Sequence, residues 1–217
     1  MITRFEENMK SADRLITLNW NLQSKLQKKG FKDVEYLPIL IAEEDFKENI
    51  DHMDTLGIKG TNGIVFMSCE LNELTKSAFK EFIPYFKKIR AKHHENFRLV
   101  IIGDHPLKYF PKFDLEIDHL SKGSIIHQFK SIVKSSADFH LVLNKQNEYS
   151  SNSETLFSFV DRGLFGIPVA SLNVSPLKEI IRNEINGFIL KNRNDLVKIV
   201  NDLMKDKTRL LKMSKEI

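Results

Sequence analysis

Two carboxylates, Glu154 and Asp161, stand with six residues between them, behind the polar run Ser150-Ser151-Asn152-Ser153 and ahead of Gly166-Ile167-Pro168-Val169. A carboxylate accepts two hydrogen bonds from neighbouring hydroxyls, so such residues suit a polyhydroxylated ligand. The segment reads as a polar loop, a helix over about 155–164, and a turn into a buried strand. In that arrangement the carboxylates hold hydroxyls while the helix N-terminus faces phosphates. Each residue also has a plain structural reading: Glu154 as an acid favoured in a first helical turn, and Asp161 as a solvated helix residue.

The elements that must position this segment alternate along the chain. A strand over 13–18, a helix over 20–29 stopped by Gly30, and a strand over 33–37 before Pro38 form a β-α-β block. A short helix near 45–56 leads to a strand at 63–68. A helix over 73–92 follows, whose Phe79, Phe82, Ile83, Phe86 and Ile89 recur at three- and four-residue spacing and form a core stripe. Strands over 98–102, 113–120 and 139–143 enclose a helix over 124–135. After the carboxylate segment come a strand at 168–171, a short helix near 176–182, a strand at 187–190 and two helices within 193–216. Nearly continuous apolar strands separated by helices predict an α/β, Rossmann-like, doubly wound parallel sheet covered on both faces. Ligands of such sheets sit outside the carboxyl ends of the strands, here the loops after 68, 103, 144 and 171.

Composition excludes several classes. A chain of 217 residues with 41% hydrophobic and 29% charged residues can bury a large core and is neither disordered nor a coiled coil. Its net charge of +4 is spread over helical faces instead of forming a run, which argues against nucleic acid as the partner. Weak attraction to anionic lipid or nucleotide is compatible with that charge. The single cysteine, Cys69, excludes an internal disulfide, and no Cys/His spacing forms a zinc site. No apolar run is long enough to span a bilayer, and the first residues are charged, so the expected location is the cytoplasm.

The segments Ala12-Asp13-Arg14-Leu15-Ile16-Thr17-Leu18, Val34-Glu35-Tyr36-Leu37-Pro38 and Arg98-Leu99-Val100-Ile101-Ile102-Gly103-Asp104-His105-Pro106 occur in that order. They are followed by Ser136-Ala137-Asp138, Gly166-Ile167-Pro168-Val169-Ala170, Glu179-Ile180-Ile181 and Asn186-Gly187-Phe188-Ile189-Leu190. This series resembles GT-B glycosyltransferases of the GT4 type. The resemblance implies that residues 46–217 are the C-terminal Rossmann-like domain that binds a nucleotide-sugar donor. Residues 1–45 would be a remnant of the N-terminal acceptor domain and the linker. It further implies a retaining transfer of a glycosyl group to a glycan or lipid-linked acceptor, as in polysaccharide biosynthesis, by a truncated enzyme or one half of a split one. The implied partners are the nucleotide sugar and a separate acceptor-domain chain or second copy, at the inner face of the membrane, with no metal and no other cofactor.

By the same resemblance, Glu154 is the sugar-contacting carboxylate, flanked by Ser153 and Thr155, and Asp161 takes the place of the ribose-binding Glu. Relative to the family pattern, one residue is missing between the two carboxylates. Lys76 stands for the lysine that stabilises the leaving diphosphate, with a one-residue slip, and is assigned with Glu154 to catalysis. Ser175 and Pro176 replace the glycines of a turn that faces the diphosphate. Glu70 falls at or beside an arginine position, where a carboxylate repels phosphates. His93, His94, His119 and His127 read as surface or structural residues, without a recognisable partner for His119 or His127. Two other classes compete: a noncatalytic glycosyltransferase-like accessory subunit, and an unrelated nucleotide-binding protein, which would need a glycine-rich phosphate loop that the sequence lacks.

Overall fold

The computed structural model describes residues 12–17, 20–37, 64–120, 137–143, 163, 166–173 and 177–217. Residues 38–63, with the predicted short helix and the proposed domain boundary, lie outside them, as do the predicted helix over 124–135 and nearly all of that over 155–164.

In the amino-terminal block, β1 (Leu15–Thr17), α1 (Trp20–Lys28) and β2 (Val34–Tyr36) form the expected β-α-β unit, a two-stranded parallel sheet with Leu15 opposite Val34. Among its described residues, Leu26 and Val34 are buried apolar ones. The Gln23 side-chain amide donates to the Val34 carbonyl at 2.8 Å, and Gly30 ends the helix with φ +92°, a conformation glycine adopts without penalty.

The remaining strands are β3 (Val65–Leu71), β4 (Phe97–Gly103), β5 (Asp118–Leu120), β6 (Phe139–Val142), β7 (Val169–Leu172) and β8 (Gly187–Leu190). All pair in parallel, in the order β5-β4-β3-β6-β7-β8. This is the doubly wound Rossmann order: the chain winds outward from β3 to β5, then returns to place β6 on the other side of β3. Between β3 and β6 the order reverses, so successive loops diverge to opposite faces there.

One face carries the main core. Val65, Met67, Cys69 and Leu71 alternate toward α2 (Lys76–His93), whose Phe79, Phe82, Phe86 and Ile89 are fully buried as the periodicity predicts. Burying such a side chain contributes about 1.5–3 kcal/mol. The same cluster includes Leu196, Val200 and Leu203 of α4 (Asn194–Lys205), and Leu210 and Met213 of α5 (Thr208–Ser214). On the opposite face, Val142 and Val169 pack with Leu177 and Ile181 around α3 (Leu177–Ile180).

Two predicted elements are shorter than expected. The strand predicted at 113–120 pairs only over Asp118–Leu120, opposite Val100–Ile102, where Arg98 grips Asp118 with a two-pronged contact at 3.1 and 2.7 Å. Before it, Phe113, Leu115 and Ile117 alternate against the core without a ladder partner, so period two there marked packing and not pairing. The helix predicted from 73 begins at Lys76, because Asn72 to Thr75 close into a turn held by their own side chains.

Several residues that carry the family resemblance hold this fold together. Asp138 accepts from the Phe66 amide at 2.8 Å and from Lys207 at 2.7 Å. Asn186 accepts from the Arg182 amide at 2.8 Å and donates to the Ile180 carbonyl at 3.3 Å. A Cβ on Gly187 would lie 2.5 Å from the Val169 carbonyl oxygen, so the close approach of β8 to β7 excludes any side chain there.

Candidate functional site

The carboxyl edge of the six-stranded sheet is where the topology places a ligand, and its described part is built around the turn after β3. Glu70 is near the end of β3 on the face opposite α2, in register with Ile102, and partly exposed. Asn72 organises the turn. Its side-chain oxygen accepts from the amides of Leu74 at 2.8 Å and Thr75 at 3.0 Å, and its amide nitrogen donates to the Glu70 carboxylate at 3.2 Å. The Thr75 hydroxyl donates to the Glu70 carbonyl and accepts from the Asn72 amide, both at 2.9 Å. The Lys76 amide donates to the Asn72 carbonyl at 2.9 Å. Asn and Thr side chains favour such turns because they reach backbone groups two or three residues away.

The amides of Asn72, Leu74, Thr75 and Lys76 are thus bonded within the turn. At this helix N-terminus, donors that elsewhere hold a phosphate already have protein acceptors. Glu70 adds a carboxylate to the same loop. Among the described residues, the sequence reading missed this self-satisfied turn; its signal was the Asn-x-x-Thr spacing immediately after an apolar strand.

Lys76, the assigned diphosphate lysine, stands beside the turn at the start of α2. Its ammonium pairs with Glu73 and lies 5.3 Å from the centroid of the Tyr109 ring. Lys108 approaches the same ring at 5.2 Å and forms an ion pair with Asp104 at 3.0 Å. The Tyr109 hydroxyl donates to Asp104. Hydrogen bonds donated to Asp104 and then to Tyr109 raise the Lys108 pKa, and the bond to Asp104 raises that of the Tyr109 phenol. Lys108 therefore stays cationic and Tyr109 neutral at physiological pH. This cluster follows β4, where Gly103 at φ +108° lets the Asp104 amide donate to the Leu71 carbonyl at 2.8 Å. A Cβ on Gly103 would meet that carbonyl oxygen at 2.5 Å.

On the face away from α2, Ser68 and His140 stand in register on adjacent strands, both buried, with the hydroxyl 2.8 Å from Nδ1. His119, expected to lack a partner, contacts the Gly103 carbonyl through Nε2 at 3.0 Å and meets the His105 ring edge-on at 4.9 Å. Of the assigned site residues, Ser153, Glu154, Thr155, Asp161 and Ser175 lie outside the described residues, and so does His127. Gly166, just after the carboxylate segment, turns at φ +62°, and its carbonyl accepts from Ser214.

Among the described residues, no group of three or more His, Cys, Asp or Glu is placed to hold a metal ion. No described helix is long and apolar enough to cross a membrane.

No protein-family model and no curated protein matches the chain. Solved structures do match its fold. Anabaena Alr3699/HepE, solved with UDP and glucose, superposes with a TM-score of 0.62 at 13% identity, over 94% of this chain and 57% of that one. TarM gives 0.70 at 12% identity, over 98% of this chain and 41% of its own. The C-terminal domain of the glycosyl transferase group 1 family protein LpcC from Francisella tularensis gives 0.54 at 15% identity, over 81% and 89%. The chain thus spans little more than half the length of HepE and less than half that of TarM. At these identities the likeness is one of fold: a Rossmann-like parallel sheet of the kind found in GT-B glycosyltransferases.

Proposed function

We propose that this chain is a retaining, GT4-like glycosyltransferase domain that binds a nucleotide sugar at the carboxyl edge of its six-stranded sheet and transfers the glycosyl group once an acceptor domain completes it. The observation that carries this reading is the strand order, whose reversal between β3 and β6 creates the crevice in which doubly wound sheets hold nucleotides. The fold neighbour HepE has been solved with UDP-glucose, which is in keeping with that use of the edge.

In the proposed site, Asp161 binds the ribose and Glu154, between Ser153 and Thr155, the sugar; Ser175 and Lys76 face the diphosphate. Lys76 contributes by offsetting the charge that develops on the leaving diphosphate, without a metal. Losing one such donor in related chemistry costs on the order of 3 kcal/mol of transition-state stabilisation. Residues 46–217 form the donor domain, and residues 1–45 the remnant of an acceptor domain.

A second reading, a noncatalytic glycosyltransferase-like partner subunit, is favoured by one specific feature. The turn after β3 satisfies its own amides, carries Glu70, and sets Lys76 against Glu73. A chain of the Glycosylation Associate Protein (Gap123) complex from Streptococcus agalactiae shares this fold, superposing at 0.53 with 14% identity over 96% of this chain and 43% of its own.

A thermal-shift screen with UDP-, GDP- and ADP-sugars separates the two. A donor at about a hundred times its dissociation constant stabilises the native state by roughly 2.7 kcal/mol, and Asp161→Ala removes most of the shift. No shift with any nucleotide sugar at millimolar concentration leaves the accessory reading standing.

A further inference from the structure

Alpha-helices α2 and α4 pack side by side on the main-core face, and between their outer surfaces runs an open groove of about 500 Å3. Ala91 and Val197 are its apolar lining residues, and every other lining residue is a lysine or an asparagine. Lys88 and Lys92 come from α2, Lys198 from α4, and Asn194 and Asn201 complete the walls.

The polar groups there are arranged as donors. The Lys88 ammonium is bonded to the Asn194 side-chain oxygen at 3.3 Å, a neutral partner that leaves its charge uncompensated. The Asn201 side-chain oxygen is engaged by His93 Nε2 at 2.6 Å. With each amide oxygen already engaged by a donor of the protein, the NH2 groups of the two asparagines remain to be offered to a ligand. Lys198 is paired with Asp195 at 3.0 Å, and that carboxylate does not line the groove. Lys88 and Lys92 are also like charges four residues apart on one helix, an unfavourable spacing unless an anion lies between them.

We propose that the α2–α4 groove is a binding site for a phosphate group, held by Lys88, Lys92 and Lys198 and oriented by the amides of Asn194 and Asn201. The site is independent of the sheet edge. Lys88 lies twelve residues along α2 from Lys76, about 18 Å at the rise of an α-helix. The phosphate can belong to a free anion or to a lipid headgroup.

The test has two arms. In the first, inorganic phosphate is titrated into the 15N-labelled chain at low ionic strength. Saturating shifts are expected at the side-chain amides of Asn194 and Asn201. They are lost in Lys88→Gln/Lys92→Gln and kept in Lys178→Gln/Lys212→Gln, which changes net charge equally on other surfaces. In the second arm, the chain is sedimented with phosphatidylcholine vesicles containing or lacking phosphatidylglycerol. Binding to the anionic vesicles that falls roughly thirtyfold in the groove variant, for two lysines at a membrane surface, identifies a lipid headgroup as the source. Amide shifts without vesicle binding identify a soluble phosphate. The proposal is overturned if neither probe responds, or if the distant pair lowers binding as much as the groove pair.

Discussion

Asp138 belongs to one of the segments that carry the family resemblance, and its environment predicts that its work is architectural. Its side chain is 3% exposed and binds two donors from different parts of the chain, the Phe66 amide at the start of β3 and Lys207 between α4 and α5. Asp138→Ala leaves the amide without an acceptor and the ammonium of Lys207, whose side chain is 14% exposed, without this counter-charge. Removing one partner of a buried pair costs about 3–5 kcal/mol. Lys207 keeps a ring contact with Phe66 at 6.0 Å, which places the expected loss near the lower end, about 3 kcal/mol. Asp138→Asn retains an acceptor for the amide and should cost roughly half as much. In Lys207→Met the carboxylate keeps its backbone donor, and the double variant Asp138→Ala/Lys207→Met should be less destabilised than the sum of the two changes, with a coupling of about 2 kcal/mol. Urea unfolding of the parent and the four variants measures all of these. A loss below about 1 kcal/mol for Asp138→Ala, or strict additivity, would refute the latch; a loss of nucleotide binding with unchanged stability would make Asp138 a ligand residue instead.

Other consequences concern the carboxyl edge and its neighbours. Glu70→Gln keeps an acceptor for Asn72 and removes only charge; for a phosphate about 6 Å away, relief of one charge pair amounts to roughly 0.7–3 kcal/mol. UDP binding measured by calorimetry should strengthen at least threefold, and unchanged affinity would mean that the phosphates do not face Glu70. Asn72→Ala frees the amides of Leu74 and Thr75, so urea should show a loss of about 1–2 kcal/mol, while UDP affinity rises on the donor-binding reading and no UDP binding is seen on the accessory one. Burial, and then the neighbouring Glu70 charge, push the Cys69 thiol far above its ordinary range; a disulfide reagent at pH 8 should therefore react only as the protein unfolds, and rapid native-state labelling would contradict the packing. At the start of α4, bonds from Lys198 and from the Asn192 and Lys191 amides hold the Asp195 carboxyl below the usual carboxylate range. A depressed native pKa adds stability above the unfolded value, near 3.9, and that contribution is lost as pH falls through the native one. Asp195→Asn should accordingly lower the urea midpoint at pH 7, with the gap to the parent closing as the pH falls through the depressed native pKa; a constant gap would assign the effect to packing.

Periodicity accounts for the part of the fold that could be read from the sequence. The aromatic stripe of α2, the apolar strands β3, β4 and β6 and the β-α-β opening come from spacing alone, because each buries a face whose period matches its backbone. The edge strand β5 was overextended, since Phe113, Leu115 and Ile117 alternate like a strand while packing as an unpaired segment. At the carboxyl edge the difficulty was different. Whether Asn72 points to solvent or folds back on Leu74 and Thr75 is decided by local geometry that no period reports, and the Lys108–Asp104–Tyr109 cluster joins residues of types common on any surface. Asp138, Asn186 and Gly187 stood out because backbone geometry demands them, which makes them better witnesses to the fold than to the chemistry.

The energetics of the turn after β3 then decide what kind of ligand site the edge can be. Three side-chain bonds hold the amides of Asn72, Leu74 and Thr75, each worth about 0.5–1.5 kcal/mol net. A diphosphate that used those amides would have to displace them, giving up roughly 2–4 kcal/mol and therefore a factor of about thirty to a thousand in affinity. Glu70 would add its own repulsion. A donor bound with useful affinity must therefore draw its strength from cations and hydroxyl contacts and leave the turn closed. Lys76 and Lys108, both beside Tyr109, are the described cations placed to contribute, but each is already paired with a carboxylate, Glu73 or Asp104. Nucleotide binding as proposed at this edge would consequently exchange ion pairs for phosphate contacts, a trade whose net gain is small in water and falls with salt, so the ribose contact proposed for Asp161 would have to supply most of the specificity.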